Sequence, residues 1–348
     1  MIIKEFLELR RDKRTMAMIV VLPLVLLVVF GYAASFNVDS ISTHVVGPQA
    51  QQVAGQLREP FDVKKVEPTT DEATARERLR DSKVDVVVVT KEGSSTALVD
   101  GSQLFTAKAA VAELAKTGGA IKPDVLYNPD LKTSWIMIPA LVGMILAFIG
   151  TIITSIGLVR ERQAGTLEQL AVMPFRPSDV IAGKIAPYFA LAALDMIVVA
   201  VVGGLLFGVP FSGSVLTFAL GGALFLFAVL GIGVLISTVS QNQGQATQLA
   251  LMTMLPQILL SGMIFPLESM AAGVRWIGYL LPLTYFIQIS NGTMLRGAPI
   301  ASLWIPLVVL AAMATVVFCA AVLRFRRDLA PSQPSAKRKD SEQMAGAR

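Results

Sequence analysis

The chain has 348 residues, of which 54% are hydrophobic and 16% charged, with a mean hydropathy of +0.63 and a net charge of +5. A soluble domain of this size carries about 25% charged residues. The deficit is local: apolar runs of about 20 residues recur, each long enough to cross a bilayer core of about 30 Å as a helix. This excludes an ordinary soluble domain. The positive charge sits in tails and loops, which suits a lipid bilayer surface rather than nucleic acid.

Residues 1–15 are basic, with Lys4, Arg10, Arg11, Lys13 and Arg14. The first apolar run follows over 16–35. Ala33-Ala34-Ser35 is a passable cleavage site, but the run exceeds a typical signal core and reads as an uncleaved anchor. Residues 37–133 hold 12 of the 30 Lys/Arg and no spanning run, and read as a small α/β domain. VDVVVVT (84–90) is a strand by its β-branched density. DEATARERLRDS (71–82) has helical composition, and 97–100 reads as a second short strand. Ser102 is placed to cap a helix over about 103–116, and Asp100 to serve a turn. Lys122-Pro123 and Asn128-Pro129 mark a linker back to the membrane.

Five more apolar runs follow at about 135–159, 186–209, 215–239, 247–265 and 302–323, making six spans. The Lys/Arg balance in short flanking segments sets orientation. Residues 1–15 carry five, 160–185 carry four and 324–348 carry seven, against Arg275 and Arg296 alone in 266–301. Both termini are therefore expected to be cytoplasmic and the 37–133 domain extracytoplasmic. The fold class expected is an α-helical polytopic membrane protein of six transmembrane helices with an inserted α/β domain. Its parts are 1–36 (N-terminus and first span), 37–133 (outer domain), 134–323 (five further spans) and 324–348 (basic tail, expected to be disordered at its end). WIGYLLPLTYFIQI (276–289) is too short and too Pro-broken to span, so 266–290 reads as an outer hairpin, tolerated where it is buried in protein or lines a cavity.

Chemistry-bearing residues are few. The sole histidine, His44, has no His or Cys neighbour and reads as exposed, not as a metal ligand. The one cysteine, Cys319, excludes an intrachain disulfide. No GxxxxGK[ST] loop occurs, so this chain supplies no nucleotide site of that type, and no catalytic set is visible. Asp195, inside LAALDMIVV, is the clearest intramembrane polar residue and reads either as a substrate or gating contact or as a paired carboxyl. Gly204 with Gly208, and Gly231 with Gly233, suit close helix packing. Gln241, Asn242, Gln243, Gln245 and Gln248 cluster at a turn that either faces solvent or meets a partner. The Asn291-Gly292-Thr293 sequon reads as accidental.

The segment RERQAGTLEQLAVMPFRPSDVIAGK (160–184) is the most informative. Thr166 and Gln169 form a capping box. Leu167, Leu170 and Ala171 share one face, and Pro174 ends the helix. Ser178 would cap the next helix. A short amphipathic helix over about 160–175 thus lies between two spans, either in the headgroups or as a docking element.

RERQAGTLEQLAVMP followed by GKIAPY resembles the signature of ABC-2 type transporter permeases, the six-span class with an extracytoplasmic domain. YNP (127–129) before IPALVGMIL, and VPFSGS, LGIGVLIST, LPQILLSGMIFPLESM and LPLTYFIQISNGTMLRG in order, are similar to later parts of that family, as is DGSQ (100–103). Ala271 departs from the pattern, where the family has Pro. The resemblance implies a permease subunit of an ATP-binding cassette exporter, working beside a separate ABC ATPase subunit that binds ATP and Mg. It implies a second permease copy or paralogue, a bacterial inner membrane, and drugs, lipids or similar amphiphiles as cargo. By position it carries over Glu161, Gly165, Thr166, Glu168 and Leu170 as the contact with the ATPase. A periplasmic adaptor is a further candidate partner, and no cofactor is expected on the chain itself.

Two other classes compete. An ion-coupled secondary transporter needs intramembrane ionisable groups and often repeated halves; Asp195 is the one firm acid and no repeat is present. A membrane-anchored sensor or scaffold using the outer domain would need one or two spans, not six.

Overall fold

The computed structural model describes residue 38, residues 40–164 and residues 177–329. The expected first span (16–35), most of the amphipathic segment and the end of the basic tail lie outside the described residues.

A five-stranded sheet opens the described chain. Its strands are β1 (Ile41–Val46), β2 (Phe61–Glu67), β3 (Val86–Lys91), β4 (Ser94–Asp100) and β5 (Ile121–Leu126), ordered β2-β1-β3-β4-β5. β1 runs parallel to β2 and β3, β4 runs antiparallel to β3, and β5 runs parallel to β4. Parallel neighbours need crossover connections, and three helices supply them: α1 (Ala50–Ala54), α2 (Glu72–Arg80) and α3 (Leu104–Ala115). α1 and α3 cover one face over Ile41, Val45, Val86, Val88, Ala97 and Val99. α2 covers the other over Val46, Val87, Val89 and Leu98. Burial on both faces is why 86–89 reads Val-Val-Val-Val instead of alternating.

Several expectations change here. The helix expected over 71–82 is α2, capped by Asp71, whose carboxylate accepts from Thr74 N at 3.1 Å. Ser102 does not cap α3; Gln103 occupies that position without a side-chain cap. Lys122-Pro123 is not linker but part of β5, an edge strand, where the missing N–H of proline can face away from the ladder. His44 is not exposed: it is buried in β1 with Nδ1 3.4 Å from Arg78 Nη1. Burial and the nearby Arg78 and Lys65 charges lower its pKa, against the opposing pull of Glu67, and favour the neutral ring.

The second part is helical: α4 (Thr133–Gln163), α5 (Pro177–Phe207), α6 (Val215–Val239), α7 (Gln243–Leu260), α8 (Ala272–Gly278), α9 (Pro282–Met294) and α10 (Trp304–Leu329). Four helices are long and apolar enough to cross a membrane: Thr133–Gln163, Ile185–Phe207, Val215–Val239 and Trp304–Arg324. The expected span at 247–265 corresponds to α7, which starts four residues earlier, carries three glutamines in its first two turns, and stops at Leu260. It is long enough at about 27 Å, but too polar at its start to join the other four. The segment expected to form a hairpin (266–290) resolves into the short α8 and the buried α9, with Pro282 at the first position of α9. The sequon lies inside α9, where Thr293 is fully buried.

α6 is central and α5 peripheral: 61% of the apolar window of α6 is buried against 17% of that of α5. Phe286 of α9 stacks on Phe225 of α6 with ring centroids 4.7 Å apart. It fits because Gly143 of α4 lies beneath it: a Cβ there would fall 2.4 Å from the ring. Gly231 packs on Val317 and Gly233 on Thr151 and Thr154 of α4, as expected of close helix packing. The Gly204–Gly208 pair does not act so. Gly208 follows the end of α5 with φ 64° and nothing near its Cβ position, a left-handed helix terminus, and it is Gly203 that meets Ile138.

Candidate functional site at the junction of sheet and bundle

The sheet is fixed to the bundle at three places. The first is the linker into α4. Asn128, fully buried, donates from Nδ2 to Lys132 O at 3.1 Å and accepts from Lys132 N at 2.9 Å. Gly101 lies against this turn, where a Cβ would come 2.6 Å from Leu126 O. Tyr127 and Leu131 hold positive φ of 68° and 48°, conformations that persist only where surrounding contacts impose them. Burial, the largest cause, pushes the Tyr127 hydroxyl up to about 12.

The second is ionic. Arg296, just beyond α9, donates to Ser102 Oγ at 3.0 Å and lies 3.8 Å from Asp100 Oδ2, with both side chains almost wholly buried. Asp100 also accepts from Ser102 N at 2.9 Å, so it does serve a turn, but as a buried ion-paired residue. Burial raises its pKa while Arg296 opposes the rise. The third is Ser302 Oγ donating to Asp81 Oδ1 at 2.7 Å. Burial raises the Asp81 pKa, but the hydrogen bonds from Ser302 and Lys83 and the Lys83 and Arg80 charges outweigh it, and the net shift is downward.

Between these fixings lies a cavity of 720 Å³, within the range of about 300–1,000 Å³ usual for ligand sites. Its sheet side includes Asp81, Asp85 and Gln103; its bundle side includes Ile136, Met263, Glu268, Asn291 and Leu303. Asp85 accepts from Ser42 N at 2.9 Å. Burial drives its pKa up to about 6; the Ser42 hydrogen bond opposes this, the charges of Asp100 and Glu268 add to it, and Gln103 opposes it. Sequence reasoning missed Asp85, Glu268 and Ser261 altogether. One signal was available: Asp85 is the only acid in an otherwise apolar strand run. Arg296 was visible only as a charge.

At the other end of α4, Arg162 Nη1 donates to Ser240 O at 3.2 Å and Gln243 Nε2 donates to Gln163 Oε1 at 3.2 Å. The glutamine-rich turn thus clasps the end of α4. It is also self-capped, with Asn242 Oδ1 accepting from Gln245 N and Gln245 Oε1 from Gln241 N. Glu161 sits half-buried on the same helix turn. Gly165, Thr166, Glu168 and Leu170 lie outside the described residues. Ser178 lies within α5, not ahead of it. Asp195 is half-buried midway along α5, its Oδ2 without a hydrogen-bond partner among the described residues. Among the described residues no group of three His, Cys, Asp or Glu could hold a metal ion.

The profile of the ABC-2 family transporter proteins matches residues 13–323. The chain belongs to the ABC-2 transporter family. This ABC-2 permease is 29% identical over 329 residues to the probable multidrug ABC transporter permease YbhS of Escherichia coli, covering 85% of this chain and 87% of that protein. It is 34% identical over 213 residues to the inner membrane transport permease YhhJ of the same organism, covering 60% and 56%. It is 27% identical over 211 residues to ABC transporter G family member 20 of Dictyostelium discoideum, covering 60% of this chain and 29% of that protein. The match starts ahead of the sheet domain and ends within α10, so it takes in both halves of the molecule. The resemblance read from 160–184 and its neighbours is thereby established at family level.

Proposed function

We propose that this permease is the membrane subunit of an ATP-driven exporter, moving an apolar or amphipathic molecule out of the cytoplasm or inner leaflet. A separate ABC ATPase subunit binds ATP and Mg, and a second permease subunit completes the path. In this reading the chain crosses a bacterial inner membrane six times, with both termini cytoplasmic and the sheet domain outside.

The observation that carries the reading is the placement of α4. This 31-residue helix begins at the Asn128 turn of the sheet domain and ends at the Arg162–Ser240 clasp, a length of about 46 Å. It leads directly into the 160–175 segment, whose position matches the family's ATPase contact. Closure of the ATPase would press on that segment, Glu161 and Glu168 pairing with basic residues of the partner, Gly165 allowing close backbone approach, and Thr166 and Leu170 holding the helix in place. The load would then pass along α4 to the outer domain.

The test is to purify the permease with its ATPase and measure ATP turnover for Glu161→Ala and Glu168→Ala. Loss of assembly, or a fall in turnover of about tenfold or more, as a coupling loss of ~1.4 kcal/mol produces, is expected. Unaltered assembly and turnover in both variants would sink the coupling role.

A further inference from the structure

We propose that the cavity between the sheet domain and the outer hairpin is a binding site for a lipophilic cation, with Asp85 and Glu268 as its charge contacts and Ile136, Met263 and Leu303 as its apolar wall. This deepens the exporter reading by naming the class of cargo and a place where it rests on the outer side.

The argument starts from charge pairing. Three cations also line the cavity, Arg80, Lys83 and Arg296, and each is already engaged. Arg80 lies against Glu77 and Asp81, Lys83 against Asp81, and Arg296 against Asp100 and Ser102. Arg275 of α8 donates to the backbone carbonyls of Glu268 and Met270. Asp85 and Glu268 are in no ion pair among the described residues. They approach the cavity from opposite sides, Asp85 from the start of β3 and Glu268 from the 3-10 turn Leu267–Ser269. Two carboxylates on one cavity without a counter-charge, Asp85 part-buried and Glu268 exposed, attract a cation more strongly together than either would alone.

A second observation points the same way. Ser261 is 1% exposed, lines the cavity, and its Oγ has no hydrogen-bond partner among the described residues. Buried hydroxyls are ordinarily satisfied, so this hydroxyl, on a residue that lines the cavity, is left to pair with a ligand N–H or a ligand-borne water. Ile136 and Met137 of α4, Met263 and Ile264 beyond α7, and Leu303, Ile305 and Pro306 give the cavity apolar wall. A small inorganic cation would leave them unused; an organic cation with an apolar body fills both requirements.

The probe is tetraphenylphosphonium, with tetraphenylborate as its counterpart of nearly equal size and shape but opposite charge. Binding of both to the full-length permease in nanodiscs is measured by equilibrium dialysis, with empty nanodiscs subtracted. Saturable binding of the cation is expected, with the anion weaker by about tenfold or more, and Asp85→Asn and Glu268→Gln each weakening the cation by about tenfold. Glu268 is exposed on a turn, so its variant keeps the test open even if Asp85→Asn alters folding. Equal or tighter anion binding, or cation binding unchanged in both variants, would overturn the proposal. Because no ATPase is present, failure here leaves the coupling test on Glu161 and Glu168 untouched.

Discussion

Asp85 is a part-buried carboxyl that accepts from Ser42 N, with Gln103 beside it, and it faces the two like charges of Asp100 and Glu268. Its folded pKa of about 6 stands above the ordinary 3.8. The folded protein therefore binds this proton more tightly than the unfolded chain does, and stability falls as pH rises between these two values. A shift of about two units corresponds to ~3 kcal/mol, fully present as a penalty above the folded value and absent below the unfolded one. Asp85→Asn is thus expected to raise thermal stability by up to about 3 kcal/mol near pH ~7.5 and to change little near pH ~3.5. An equal gain at both values, measured by thermal unfolding in detergent, would show that titration of Asp85 is not the cause. A stabilising change at this residue that also weakens cation binding would mark a group kept for function at a cost in stability. None of this was legible in the sequence. Asp85 and Glu268 are far apart along the chain and meet only because the sheet docks on the hairpin. His44 misled for the opposite reason: a polar residue in a short strand looks exposed until a helix is found over it.

At the scale of elements, the strongest signals were one-dimensional. The four helices long and apolar enough to cross a membrane follow from hydropathy and length, and β3 follows from its continuous valines. β2 escaped notice because an edge strand tolerates Lys64 and Lys65, and β5 because an edge strand tolerates Pro123. α7 starts ahead of its apolar run because its glutamine-rich first turns serve a clasp on α4. Close packing of α6 on α4 depends on Gly233, where a Cβ would lie 2.9 Å from Thr151 O and from Thr154 Cβ. Gly233→Val is expected to cost about 1–3 kcal/mol through overpacking. Gly273→Ala, in α8 with nothing within 4 Å of its Cβ position, is expected to be neutral or to stabilise by about 0.5–1 kcal/mol. Comparing the two melting temperatures checks the contrast; equal effects would mean that α6 and α4 can separate freely.

For the whole molecule, the open question is which side of the membrane each end faces. In a Cys319→Ser background, Lys64→Cys on the sheet domain is expected to react with an impermeant maleimide added to intact spheroplasts. Gln241→Cys, on the exposed clasp turn, is expected to react only after lysis. The reverse pattern would invert the topology. The expected orientation rests on charge asymmetry, because Lys and Arg resist transfer across the bilayer. The three fixings of the sheet were not readable, since Arg296, Ser302 and Asn128 are each ordinary residues in isolation.

The clasp at Ser240 and the turn at Asn128 are the two ends of one helix, and thermodynamics makes such a connection run both ways. If nucleotide binding at the inner end shifts α4, then anything that grips the outer domain must shift nucleotide affinity by the same factor. On the proposed topology, an antibody fragment raised against the sheet, added from outside, would act as a remote effector of an ATP site on the far side of the membrane. The sign of its effect would report which position of α4 belongs to the ATP-bound state.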